Sequence, residues 1–197
     1  MRIIMFSGKI IDGDFVGEYV KALLHSFSKS HLVNLVCYDD VEERLSINKN
    51  LNIFKTSCVI KGNNLFNWAM IMNTELGRAG REVYECYGFD IIHANDWLTI
   101  PVALSMARFA EKPLILSMHS TEKERGFGID YSGLIHEIEG MGLHNASHIL
   151  VDNEVTMRHV INDFNIEREK ITLLTPFRDK WDERILELYK KLAKVGI

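Results

Sequence analysis

Two histidines and an aspartate stand where apolar runs give way to loops. In "IIHANDWLTIP", His93 falls near the end of one run, and Asp96 and Trp97 sit at the entrance of the helix that follows. In "ILSMHSTEKERGFG", His119 ends a second run and precedes a stretch of hydroxyl, charged and glycine residues. An imidazole at the ligand-facing end of a buried strand is placed to bind, or to exchange a proton near neutral pH. Asp96 has a plainer alternative, in which it caps the helix while Trp97 packs. His93, Asp96 and His119 share no helical HxxxH spacing, so no metal is expected. A third loop, "SGKIIDGDFVGEYV", sets glycines before a helix N-terminus, where backbone amides can meet a phosphate. Its spacing matches neither a Walker loop nor GxGxxG, which favours an ordinary strand–helix turn. His136, Glu137 and Glu139 fall within one helix and point different ways, which reads as a solvated face rather than a carboxylate pair.

The elements that must position these residues alternate between strand and helix. Arg2–Phe6 is an apolar run, and Val16, Tyr19, Val20, Leu23, Leu24 and Phe27 then recur at helical spacing. "HLVNLVCY" is a second strand, and the stretch from Asp39 to Asn64 holds one or two short strands around "LNIF" and "SCVI". Leu65, Trp68, Met72, Leu76, Ala79 and Val83 mark a long helix, "FDIIHA" a strand, and Leu98 to Phe109 a helix. "KPLILSM" is the next strand, opened by Pro113, and a polar loop from His119 to Asp130 leads to a helix ending near Asn145. "SHILV", a helix over Glu154–Phe164 with an Asp–Asn pair at its start, and "KITLLT" follow. Apolar strands separated by helices predict an α/β, Rossmann-like, doubly wound and mostly parallel sheet covered on both faces. Such sheets bind ligands at the carboxyl ends of their strands, beside a topological switch point.

Composition narrows the partners. The chain has 197 residues, enough for one full domain, and a net charge of −4 with no Lys/Arg block argues against nucleic acid or an acidic membrane. The apolar opening "MRIIMFSG" is too short for a signal h-region or a span. Cys37, Cys58 and Cys86 are odd in number and scattered through apolar or aromatic surroundings, which predicts buried free thiols and a cytoplasmic location. After "KITLLTP" the chain closes on "FRDKWDERILELYKKL", in which Trp181, Ile185, Leu188, Leu192 and Val195 form one apolar stripe. This helix, over residues 177–197, is expected to pack back on a domain formed by residues 1–176.

At these loops the sequence resembles the glycogen and starch synthases and their retaining glycosyltransferase relatives of the GT-B fold. "DIIHANDWLTIPVAL" is similar to that family's histidine and Asp-Trp segment, "KPLILSMHSTEKERG" to its following strand and HS-x-E-x-x-RG loop, and "IHEIEGMGLHNASHILVDNE" to its next helix and strand. The order of these segments and the "FS…GEYVKAL" start resemble the N-terminal half of such an enzyme. The resemblance implies that His119 lies beside the transferred sugar and Asp96 on the acceptor side of the cleft, as the catalytic pair. It also implies that Trp97, His93, Ser120, Glu122 and Gly17 surround the substrate, with no bound cofactor.

Departures accompany the likeness. Where the family carries adjacent glycines in its first loop, this chain has Asp14 and Phe15, and only Gly17 is kept. An acid there opposes a diphosphate by charge, and an aromatic ring fills its space. The family's second Rossmann-like domain, which holds the nucleotide sugar, has no counterpart here, yet the tail is similar to the helix that crosses back from it. The resemblance therefore implies an internal loss of the donor domain. It leaves a carbohydrate-binding or regulatory remnant, with an α-glucan or other oligosaccharide as partner. Two alternatives remain: a subunit of a split transferase using ADP- or UDP-glucose with a separate donor-domain chain, and a homodimerisation module.

Overall fold

Strand β1 (Arg2–Ser7) feeds two cores at once. Ile3 and Met5 face one side of the sheet, and Ile4 and Phe6 the other, as the two-residue period of a strand requires. The computed structural model describes residues 1–60, 62–126 and 131–195, the side chain of Val195 excepted. In chain order β1 is followed by α1 (Phe15–Phe27), β2 (Leu32–Tyr38), β3 (Glu43–Asn48), β4 (Leu51–Thr56), α2 (Leu65–Tyr87) and β5 (Ile91–Asn95). Then come α3 (Ile100–Ala110), β6 (Leu114–Met118), α4 (Glu122–Arg125), α5 (Ser132–Asn145), β7 (His148–Val151), α6 (Glu154–Phe164), β8 (Ile171–Leu173) and α7 (Trp181–Val195). The strands order as β3-β4-β2-β1-β5-β6-β7-β8, every pairing parallel except β3 with β4. The chain builds outward from β1 in one direction and then returns to β5 on its other side. The switch point therefore lies between β1 and β5.

The helices divide unequally. Buried side chains of α2, α3, α5 and α6 pack with Ile4, Phe6, Ile92, Ala94 and Leu116 on one face. The other face, carrying Ile3, Met5, Ile91, Ile115 and Leu150, is covered by α1 and α7 alone among the described helices. Trp181, Ile185 and Tyr189, one helical turn apart, enter this second core, while Leu188 and Leu192 pack at its margin. Acidic Asp182 and Glu183 start α7 and Lys194 ends it, in accord with the helix dipole. The Ser26 hydroxyl donates to Asp182, tying α1 to α7.

A polar chain runs through this core. The Tyr189 hydroxyl bonds His93 Nδ1, His93 Nε2 lies 2.7 Å from Ser117 Oγ, and Ser117 Oγ lies 3.0 Å from the Tyr19 hydroxyl. His93 is wholly buried, and burial pushes its pKa down to about 3, helped by the charge of His119. A neutral imidazole has one donor and one acceptor nitrogen, so the four residues form a single ordered relay that leaves neither nitrogen bare.

Several expectations are corrected. "SCVI" is not a strand. The hairpin partner of β4 is β3, which pairs antiparallel with a bulge at Ser46/Asn48 and uses Asn48–Asn50 to turn. The loop after His119 contains α4, because Thr121 and Glu124 form a capping box; residues 127–130 of that loop lie outside the described residues. Of the cysteines only Cys37 is buried, since Cys86 falls on the outer face of α2. Glu139 is not solvated. It shares the buried stripe of α5 with Ile135, Ile138, Gly142 and Leu143.

Two outcomes are expected. A chain ending at Pro176 bares Ile91, Ile115 and Leu150 and forfeits the burial of Trp181, Ile185 and Tyr189, roughly 1.5–3 kcal/mol for each large side chain before ordering costs. Its melting temperature should fall sharply or the protein should aggregate in a thermal scan with light scattering; a superimposable melting curve contradicts this. His93 titrates lower in the folded than in the unfolded chain, so its contribution is complete above its ordinary pKa and is lost as pH falls toward 3. Between pH 7 and pH 5 that loss is about 2 kcal/mol. The variant His93→Gln, though less stable at pH 7, should show a correspondingly shallower fall in urea titrations at the two pH values.

Candidate functional site

The carboxyl ends of β1, β5 and β6 carry the loops that hold the expected site. His119 follows β6, and its Nδ1 lies 3.1 Å from Asp152 Oδ2 at the end of β7. Tyr19 meets the His119 ring edge-on at 4.8 Å, and Phe15 meets it at 5.5 Å. Tyr19 also lies 5.1 Å from Trp181, which lies 5.5 Å from Phe177, and Phe177 returns to Phe15 at 6.3 Å. These aromatic residues close a ring of contacts drawn from α1, the His119 loop and the turn into α7. The His119 side chain is left 7% exposed, and its Nε2 is buried with no hydrogen-bond partner among the described residues. Beneath it, Tyr19, Ser117, Asp152, Leu174 and Pro176 enclose only about 10 Å³, the room of one water. The turn that brings Phe177 here is strained, with positive φ at Phe177, Asp179 and Lys180.

A web of charge underlies the loop that follows. Arg125 Nη1 donates to Ser120 O at 2.8 Å and Oγ at 3.2 Å, its Nη2 pairs with Glu139, and its Nε lies 3.5 Å from Glu122 Oε2. The Glu122 amide donates to both Glu139 oxygens at 2.8 and 3.1 Å. Asp96 Oδ1 lies 3.7 Å from Arg125 Nη1. Burial pushes the Asp96 carboxyl up against the pull of His119 and Arg125, and pushes Glu139 up to about 7 against its amide and guanidinium partners. Burial thus outweighs the nearby guanidinium, and Asp96 and Glu139 both give up their protons less readily than exposed acids do. Thr156 adds a bond to Glu124 at 2.9 Å. Together these contacts fix the backbone just beyond His119.

The structure brings His119, Asp96, Ser120 and Glu122 into one neighbourhood, in different roles. Asp96, at φ 63°, accepts from the Trp97 amide and caps the turn at Trp97–Thr99, with part of its carboxylate open to solvent. The Trp97 indole is 3% exposed within the core, so it offers no face to a ligand. His93 stands in the middle of β5 rather than at its end, with both nitrogens taken by Tyr189 and Ser117. Glu122 is buried against Arg125, Glu139 and Ser132. Gly17 is a packing glycine, since a Cβ there would stand 2.5 Å from the Ile11 carbonyl oxygen. Asp14 accepts from the Gly17 amide as the N-cap of α1 and so occupies the helix end an anion would seek. Tyr19, Asp152, Phe177, Arg125, Glu139 and Tyr189 are the participants that sequence reasoning missed. The one signal for Tyr189 and Glu139 was their four-residue spacing from Ile185 and Ile135, which the polar character of both side chains masked. The partners of Asp152 and Phe177 come from tertiary structure alone.

Comparison with known proteins agrees with this fold. The family described as Glycosyltransferase Family 4 matches residues 16–180. An uncharacterised glycosyltransferase of Methanocaldococcus jannaschii is 27% identical over 149 residues, which cover 73% of this chain and 36% of that protein. A glycogen synthase of Mycobacterium tuberculosis is 31% identical over 72 residues, 34% of this chain and 17% of its own. The chain thus spans a minor part of the length of both. Among solved structures, one chain of sucrose-phosphate synthase from Thermosynechococcus elongatus superposes with a TM-score of 0.69 over 100% of both chains, at 15% identity. At that identity the likeness shows the fold, which is one Rossmann-like half of the GT-B architecture. The family match runs from the second residue of α1 to the residue before α7, and on that coverage the chain belongs to Glycosyltransferase Family 4.

Proposed function

We propose that this chain is a glycogen synthase-like, carbohydrate-binding or regulatory domain that does not transfer a sugar by itself. The observation that carries the reading is the closed aromatic ring over His119, the residue that the family likeness sets beside the transferred sugar. Its Nδ1 is engaged by Asp152, its Nε2 is covered, and about 10 Å³ remains beneath it. The start of α1 supports the same reading. Asp14 fills the anion position with a charge of the wrong sign for a diphosphate, and the Ile11 carbonyl lies over Gly17. Sugar transfer needs cations and backbone donors around the leaving diphosphate, and these two loops turn their donors inward.

What stays open to a ligand is the rim. Phe15 is 45% and Phe177 54% exposed, and Ser120, Asp96 and Asn153 supply polar groups nearby. Aromatic faces with polar neighbours suit a neutral oligosaccharide, whose C–H faces stack while its hydroxyls bond. A wet rim of this kind holds ligands weakly, because water competes for every hydrogen bond. The same two exposed rings also favour a second reading, in which a separate donor-domain chain covers Phe15 and Phe177 and completes a split transferase.

The pure protein should show no heat of binding with ADP-glucose or UDP-glucose by calorimetry, and no product on a glucan primer. Turnover by the chain alone contradicts the reading. In NMR titration, maltoheptaose should shift resonances of Phe15, Phe177 and Ser120 with a dissociation constant in the millimolar range, about −4 kcal/mol. Phe177→Ala should weaken those shifts without unfolding the protein, since that side chain stands outside the two cores. Shifts that survive in the variant, or that cluster elsewhere, place the sugar on another surface.

A further inference from the structure

At the opposite end of the sheet from His119, a cavity of about 350 Å³ opens where the last turns of α7 pass the amino ends of β1, β5 and β6. Its lining is Met1, Asp90, Lys112, Pro113, Lys190 and Lys194, with Ala193 between the α7 lysines. Lys190 and Lys194 stand one helical turn apart, and Lys112 joins them from the end of α3. We infer that this cavity is a binding site for a small phosphomonoester carried on a ring, with the lysines meeting the phosphate and Met1, Pro113 and Ala193 meeting the ring.

The pairing of the other lysines supports this. In this acidic chain Lys9, Lys21, Lys55, Lys123 and Lys180 each lie within reach of a carboxylate. Lys112, Lys190 and Lys194 pair with none among the described residues; Lys29, Lys49 and Lys191 are likewise unpaired there, but they do not line this cavity. Asp90, the one acid in the lining, is already taken by Arg2, whose guanidinium and amide hold it at 2.6 and 2.8 Å. None of the three donates a hydrogen bond to a helix-end carbonyl among the described residues, as Lys170 does to the Leu143 and His144 carbonyls at 2.9 and 2.7 Å, although Lys194 lies in the last turn of α7. Positive charge therefore converges on a concave surface with no counter-charge from the described protein. One neighbouring histidine feels a lysine of this lining. His31 is held below its usual pKa by burial and then by the N-terminus and Lys190. The size is that of a compact ligand, at the lower end of small-molecule sites. The apolar walls call for more than a bare ion.

The test is a calorimetric titration of the full chain with AMP, ribose 5-phosphate, adenosine and inorganic phosphate, at low and at physiological salt. AMP or ribose 5-phosphate should bind, more weakly as salt rises, and the stronger of the two identifies whether base or sugar fills the ring position. Lys190→Ala/Lys194→Ala, at exposed positions that leave the cores intact, should lower that affinity about tenfold or more. Lys123→Ala/Lys180→Ala, which removes the same charge elsewhere, should not. The inference is overturned by any of four results: no phosphomonoester binding at millimolar concentration, adenosine binding as tightly as AMP, inorganic phosphate binding as tightly as either ester, or equal loss in both double variants.

Discussion

The hydroxyl of Tyr189 against His93 is the contact on which the rest of this molecule turns. A histidine in the middle of a parallel strand is an expensive residue to bury, because both ring nitrogens need partners and the charged form is excluded. Ser117 on the neighbouring strand satisfies one nitrogen, and nothing on the sheet satisfies the other. The tail helix supplies that partner, and with it the side chains that dry the face around Ile91, Ile115 and Leu150. Polar satisfaction and apolar burial thus fix α7 in one rotation and one height, since sliding the helix by a residue would break the bond while barely changing its greasy stripe. The relay continues through Ser117 to Tyr19, and Tyr19 packs on His119. The rotation of a helix at the end of the chain therefore sets the wall of the pocket at the tips of the strands.

The neighbourhood of His119 illustrates how a cleft can be built and then filled by its own protein. The loops stand where a doubly wound sheet places its ligands, and the acid–arginine web beneath them holds the main chain firmly. Asp14, Phe15 and Phe177 then occupy, with carboxylate and ring, the volume that loop position alone would leave to a ligand. The result is a rigid apolar plug with a polar rim. Rigidity here comes from the charge cluster on α4 and α5, and closure comes from the aromatic residues of α1 and the turn before α7.

Much of the fold was legible because helix and strand periods are local properties. The bounds of α6, the buried faces of α1 and α2, and the parallel order all follow from apolar spacing and short connections. The hairpin of β3 and β4 was less so. Glu43–Asn48 is an exposed edge strand with little apolar content, so its pairing is stated only by its partner. Site residues divided the same way. The loop positions of Asp96 and His119 could be read, whereas the burial of Trp97 and the engagement of His93 depend on which helix lies above them. Glu139 shows the limit most sharply. A glutamate among helical glycines and isoleucines looks solvated until Arg125 arrives from another element to hold it.

The unequal covering of the sheet has a consequence for how the chain is made. One face is closed by α2, α3, α5 and α6, all of which emerge from the ribosome before the last strand is complete. The other stays bare over β5, β6 and β7 until Tyr189 has been synthesised. During that interval the nascent protein carries an open wall of isoleucine, leucine and a histidine with one nitrogen still unpartnered, the kind of surface that chaperones cover. Covering that face is then a docking step that follows the synthesis of α7, so this half of the core rests on that helix arriving before another chain does.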